Sequence, residues 1–251
     1  MTPPDPKFVV TRPAPDHLAL MSSLGDSAIH SPAFELVAEP EPVLASLVTG
    51  LREFDKVVVT SPFAARLLAG IAEAVDLEDV QFFAPGRGTA AGLRAAGIAV
   101  RFPLSGGTSE HILDMAEFAD VEKKRIAIVG APGGRDLLAR ELARRGARVV
   151  PAHVYRRVGL PPSRMLIDAL HRGDRLVTLI SSLQTFGMIH DALPDELREA
   201  WTAARFVVSS ERIERACREA GVRLIQRADG AADARMLSAA VDAGWQRAPA
   251  D

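Results

Sequence analysis

The chain has 251 residues, 48% of them apolar and 25% charged, with a net charge of −2. That length can bury a core for one large domain or two modest ones. The near-neutral charge excludes a global field for nucleic acid or an anionic membrane, so an anionic ligand needs local donors.

The N-terminal residues, from Met1 to Pro13, carry no charged-then-apolar leader pattern. No uninterrupted apolar run approaches the roughly 20 residues that span a bilayer. The single cysteine, Cys217, excludes an intrachain disulfide and points to a reducing compartment. It shares a helical face with Ile213, Ala216 and Ala220, which predicts a buried core thiol. A soluble cytoplasmic protein is expected.

In chain order, one unit recurs: an apolar strand, a small polar turn, an amphipathic helix, a glycine and another strand. A weak copy opens at Phe8-Val9-Val10. The stretch from Leu36 to Val43, with Pro40 and Pro42 among acids, breaks the rhythm as a connector. The unit then returns at Lys56–Val59, at Val80–Phe83 and at Arg125–Val129. A second connector runs from His153 to the Pro161-Pro162 pair. Further copies follow at Leu176–Ile180 and Phe206–Val208, and the last residues, from Gln246, are expected to fray. Gly97, Gly146 and Gly221 stand where helices must stop.

Several strands are apolar on both faces, as parallel α/β sheets require. If both connectors join the same two domains, the segment between them is an inserted unit. That arrangement is a discontinuous domain of about 1–36 and 157–251, an inserted one of about 40–152, and linkers near 37–40 and 153–157. Each turn puts Ser, Thr or Gly at a helix N-terminus, a place suited to anions.

Other chemistries have less support. Gly86, Gly88 and Gly92 form a loose dinucleotide fingerprint, but the following strand from Ile98 does not end in the acid that holds a ribose. The turn from Gly130 lacks the Gly-Lys-Ser/Thr ending of a phosphate loop. No histidine pair has ligand spacing on a helix and cysteine ligands are lacking, which argues against a metal. There is no Gly-x-Ser-x-Gly elbow. Ser61 and Ser182 each follow a strand and suit helix capping. Tyr155, the only tyrosine, would share a face with His153 on an extended segment. It either packs against the connector with its hydroxyl wet or looks into an interdomain cleft.

Taken together and in order, a set of motifs resembles the uroporphyrinogen-III synthase family nearly end to end. The set comprises Val10-Thr11-Arg12-Pro13, Val59-Thr60-Ser61-Pro62, and Gly86 to Leu93 with Thr89. It continues with Ser109-Glu110-His111-Ile112-Leu113, then Gly134-Arg135-Asp136-Leu137-Leu138 with Gly146 and Val154-Tyr155-Arg156-Arg157. It ends with Ser210-Glu211-Arg212-Ile213 and the block from Asp229 to Leu237.

The resemblance implies two parallel-sheet α/β domains joined by a two-stranded linker, with the active cleft between them. It implies cyclisation of hydroxymethylbilane to uroporphyrinogen III, with loss of water and inversion of the terminal pyrrole through a spiro intermediate. No cofactor or metal is implied. The partner is a small molecule, with no nucleic acid or membrane, and the protein is expected to be a monomer. Tyr155 matches the family's tyrosine as proton donor to the leaving hydroxyl. Arg12, Thr60, Ser61, Thr89, Ser109, Ser182, Ser210 and Arg212 match positions suited to the substrate's carboxylates, with Arg135 and Arg157 as weaker candidates.

The sequence departs from the family pattern at Ser181, Leu183 and Ile213, and Ala84-Pro85 precedes Gly86 in place of a valine-like entry. These departures motivate an alternative, a non-catalytic tetrapyrrole-binding module on the same fold. The glycine turns by themselves would also suit a two-domain transferase of nucleotide sugars.

Overall fold

The computed structural model describes residues 5–72, 77, 79–104, 108–133 and 136–244. The chain divides into two compact units, Met1–Leu36 with Val158–Asp251, and Val37–Arg157.

The discontinuous unit carries one five-stranded sheet. Its strands are β1 (Lys7–Val10), β2 (Ala28–His30), β10 (Leu176–Ile180), β11 (Arg205–Val208) and β12 (Leu224–Arg227), in the order β12-β11-β10-β1-β2. Every neighbouring pair is parallel. β1 lies between β2 and β10, so the opening strand pairs with the C-terminal set. Its helices are α1 (Leu18–Leu24), α7 (Arg164–Arg172), α8 (Leu183–Ala192), α9 (Asp195–Ala203), α10 (Glu211–Glu219) and α11 (Asp233–Gly244).

Both faces of this sheet are covered, which is why its strands read as apolar runs. On one face Val9, Leu176, Ile180 and Phe206 join Leu166, Phe186, Trp201 and Cys217. On the other, Phe8, Val10, Val177, Leu179 and Val207 join Leu20 and Met236. Alternate residues of one strand therefore feed two cores. Burial also raises the pKa of the Cys217 thiol to about 12, with Glu214 adding a smaller push.

The continuous unit repeats the plan. Its strands are β4 (Lys56–Val59), β5 (Gln81–Phe83), β6 (Val100–Arg101), β7 (Arg125–Gly130) and β8 (Arg148–His153), in the order β6-β5-β4-β7-β8, again all parallel. The helices are α2 (Glu41–Gly50), α3 (Pro62–Ala72), α4 (Arg87–Ala95), α5 (Ser109–Leu113) and α6 (Asp136–Arg144). Val58, Phe83, Ile126 and Ile128 pack with Ile112, Phe118, Leu138 and Leu142.

Helix stops fall where glycine allows them. Gly146 has φ 85°, a left-handed value that a side chain resists, and it ends the turn after α6. Gly92 serves differently. A β-carbon there would lie 3.1 Å from that of Ala65, so this glycine lets α4 approach α3 closely. Of the three glycines that hint at a dinucleotide loop, Gly92 thus has a packing reason.

β3 (Phe34–Ala38) and β9 (Tyr155–Gly159) form a two-stranded sheet of their own. The unit boundaries, between Leu36 and Val37 and between Arg157 and Val158, fall inside these two strands. The first connector is partly helical: Pro40 precedes α2 and Pro42 sits in its first turn, where a missing N–H costs nothing. Among the described residues no helix is long and apolar enough to cross a membrane.

Candidate active site

In both units most strands end at turns that lead to helices, so the chemistry-bearing residues gather at the carboxyl edge of each sheet. In the continuous unit that edge is built around Thr60 and Ser61, between β4 and α3. The Thr60 N–H and hydroxyl both donate to the Val129 carbonyl, each at 2.9 Å. This ties the turn to β7. A β-carbon on Gly130 would overlap the Thr60 hydroxyl, so any side chain there forces that hydroxyl to move.

Ser61 caps α3: its Oγ accepts from the Ala64 N–H at 3.1 Å. The same oxygen accepts from the Tyr155 hydroxyl, also at 3.1 Å. The two bonds use the oxygen's acceptor capacity, while the serine's own proton remains to be donated. Tyr155 is 3% exposed, and its ring meets Phe63 edge-on at 4.9 Å. Tyrosine, serine and helix start thus form one preset group.

His153 does not share Tyr155's face. Val154 and Tyr155 are both buried while His153 is exposed. The reason is a change of partner at Val154. Its N–H donates to Gly130 in the five-stranded sheet, and its carbonyl accepts from Glu39 beside β3. Passing from one sheet to the next resets the alternation. A cavity of about 520 Å³ opens next to Thr60 and Gly130, lined by Ile128, Val149 and Pro151 with Arg140 and His153.

Thr89 lies in the first turn of α4 and Ser109 opens α5, with side chains 4% and 5% exposed. Of the weaker candidates, Arg135 lies outside the described residues, as does Gly134 of the same motif.

At the carboxyl edge of the discontinuous unit, Ser182 caps α8 by accepting from the Thr185 N–H, and Ser210 caps α10 by accepting from the Ile213 N–H. Ser209 donates to the Ser181 carbonyl at 3.4 Å, linking the two turns. Arg212 lies exposed in the first turn of α10. Arg12 follows β1. Its guanidinium pairs with Asp233 at the start of α11 and donates to the Ala231 carbonyl. Its own carbonyl accepts from His30 Nε2 at 2.8 Å. The imidazoles of His30 and His17 stack at 4.0 Å, 9° from parallel. Burial lowers the pKa of His17, with His30 adding to the effect and Asp16 opposing it. Among the described residues no group of three or more His, Cys, Asp or Glu could hold a metal ion.

The chain matches the family model described as Uroporphyrinogen-III synthase HemD over residues 17–238. It belongs to the uroporphyrinogen-III synthase family. The uroporphyrinogen-III synthase of Salmonella typhimurium is 32% identical over 247 residues, covering 92% of this chain and 98% of that protein. The one from Escherichia coli is 30% identical over 245 residues, with the same coverage of 92% and 98%. A mutant uroporphyrinogen III synthase structure from Thermus thermophilus is 25% identical, with a TM-score of 0.62, covering 95% of this chain and 98% of that one. The Helicobacter pylori uroporphyrinogen-III synthetase structure, at 15% identity and a TM-score of 0.62, covers 94% of this chain and 99% of its own and shares the fold.

Sequence reasoning finds the turns and misses what braces them. Asp233, Gly130 and the His17–His30 stack each act on a residue far away in the chain. The clash forced on Gly130 is visible only once Thr60 lies beside it.

Proposed function

We propose that this chain cyclises hydroxymethylbilane to uroporphyrinogen III with loss of water, a hydro-lyase reaction of tetrapyrrole biosynthesis that needs no metal or other cofactor. Family membership and the names of the relatives support the reaction class. The observation that carries the site is the Tyr155–Ser61 pair, a buried phenol on a helix-capping hydroxyl.

The chemistry asks little of side chains. A hydroxyl on a carbon next to an electron-rich pyrrole departs readily once it gains a proton, because the ring nitrogen stabilises the cation left behind. Tyr155 supplies that proton, the C–O bond breaks and water leaves. As the phenol turns its proton from Ser61 toward the substrate, the serine donates its own hydroxyl proton to the phenol oxygen and steadies the charge that develops there. The cation is then attacked by the substituted carbon of the terminal ring to give the spiro intermediate. Rearrangement ends with loss of one proton from a ring carbon, which restores the phenol. Choosing the substituted carbon is a matter of holding the flexible chain in place, and orientation of this kind contributes several kcal/mol.

The carboxylates would be held at the turns. Arg12 and Arg212 offer charged donors, and Thr60, Ser61, Thr89, Ser109, Ser182 and Ser210 mark turns whose hydroxyls or backbone N–H groups suit anions. Arg157 remains a weaker candidate. The two compact units correspond in this reading to a discontinuous and an inserted domain. The protein acts as a cytoplasmic monomer without a nucleic-acid partner. Purified protein given hydroxymethylbilane should release product richer in isomer III than the protein-free blank. Product no richer than the blank would end the proposal.

A further inference from the structure

Arg12 is held more firmly than a surface arginine that waits for a ligand. The pairing of β1 with β2 and its edges finishes at Val10, whose carbonyl accepts from the Ser31 N–H at 3.0 Å. Beyond that point side chains take over. Thr11 Oγ1 donates to the Leu179 carbonyl at 2.7 Å, pinning the segment on the β10 side. His30 Nε2 meets the Arg12 carbonyl at 2.8 Å, pinning it on the β2 side. A carbonyl only accepts, so Nε2 carries the hydrogen. The His17 ring lies flat on His30 at 4.0 Å and 9°, which fixes the plane in which that N–H points. His17 Nδ1 is buried and has no hydrogen-bond partner among the described residues, so that nitrogen adds nothing to the stack beyond the ring's face.

We infer that His30, braced by the stacked His17 ring, is a positioning residue that fixes Arg12 for binding a substrate carboxylate. The inference rests on the proposed synthase reading. Its basis is the joint constraint on Arg12: the imidazole sets its backbone, while Asp233 and Ala231 set its guanidinium. A guanidinium carries five N–H donors in a rigid fork, so two anchored contacts leave donors aimed in a fixed direction. Preset donors of this kind cost little reorganisation when an anion arrives. The lowered pKa of His17, caused first by burial and then by His30, favours an uncharged ring in the stack, and Asp16 opposes it.

The test separates this inference from the synthase reading. Once wild-type protein has been shown to form isomer III, H30A should raise KM about five-fold and leave kcat within about two-fold, as expected for losing one hydrogen bond to the binding residue. H30Q, which restores an amide N–H at similar reach, should return KM to within about two-fold of wild type. An unchanged KM in H30A, or an H30Q no better than H30A, overturns the inference. If H30A does not fold, the brace is tested with H17F, which keeps a flat ring and should resemble wild type, against H17A, which should raise KM. Equal behaviour of the two overturns it. A ligand-free readout stands beside these: the Arg12 Nε–H resonance should be sharp in wild type and H30Q and broadened in H30A, or in H17A if H30A does not fold. Wild-type protein without isomer III would sink the synthase reading. The Arg12 resonance would still decide whether His30 positions the arginine, and no change in it would count against the inference.

Discussion

Replacing Tyr155 with phenylalanine removes one oxygen from a buried site and little else. The ring keeps its edge-on contact with Phe63 at 4.9 Å, and Ser61 keeps its bond from the Ala64 N–H, so the cap on α3 survives. The lost bond to Ser61, 3.1 Å long, contributes about 1 kcal/mol. In a chain of this size that corresponds to a fall in Tm of roughly 2–4 °C. The catalytic loss should be far larger. A positioned proton donor contributes about 10²–10⁴-fold. Because the leaving hydroxyl departs easily, the lower limit applies, about a hundred-fold in kcat or about 2.7 kcal/mol of barrier. KM should change little, since the ring and the surrounding turns remain. The assay is the initial rate of isomer III formation, with a thermal melt on the same sample. A kcat within two-fold of wild type in a folded protein would remove Tyr155 from the chemistry. A Tm drop of more than about 10 °C would mark its hydroxyl as structural instead, since one such bond cannot account for it.

Three further outcomes check other parts of the structure. Gly130→Ala should cost about 2 kcal/mol through its overlap with the Thr60 hydroxyl. A G130A/T60A double variant should recover part of that loss in a denaturant melt, and strict additivity would contradict the close approach. Cys217, fully buried and with its thiol pKa raised to about 12, should resist thiol reagents at pH 8 in the native state and react only as the protein unfolds. Labelling as fast as a free thiol would refute that burial. Glu141 has its pKa lowered to about 2, first by Arg144 and then by Arg145. A lowered carboxylate pKa gives stability that is present above the ordinary value of 4.5 and is lost as pH falls toward 2. Glu141→Gln should therefore flatten the acid limb of a stability–pH curve and leave the curve's shape above pH 5 unaltered. A wild-type acid limb in the variant would count against the pairing.

The parts of the fold that follow from local physics were readable in advance. Runs such as Val57-Val58-Val59 and Phe8-Val9-Val10 announce strands covered on both faces, because each alternate residue enters a separate core. Gly146 announces a helix stop because its φ suits no side chain well. Ser182 and Ser210 announce helix starts because a serine there can accept from the third residue of the helix. The site was readable only where it coincides with these signals. Arg12 and Asp233 are brought together by the return of β1 to the C-terminal strands, which no local pattern records. His17 and His30 lie on a turn and a strand end, so their stacking follows no helical or strand period. The facing of Tyr155 escaped the alternation rule because the chain changes partner at Val154.

The measurement that bears most directly on the proposed function is the isomer fraction of product formed from hydroxymethylbilane as the concentration of this protein is raised. The synthase reading predicts that isomer III rises from the level of the protein-free blank toward the whole of the product, without added metal or cofactor. An isomer ratio that stays at the blank value at every concentration, in a protein shown to be folded, would contradict it.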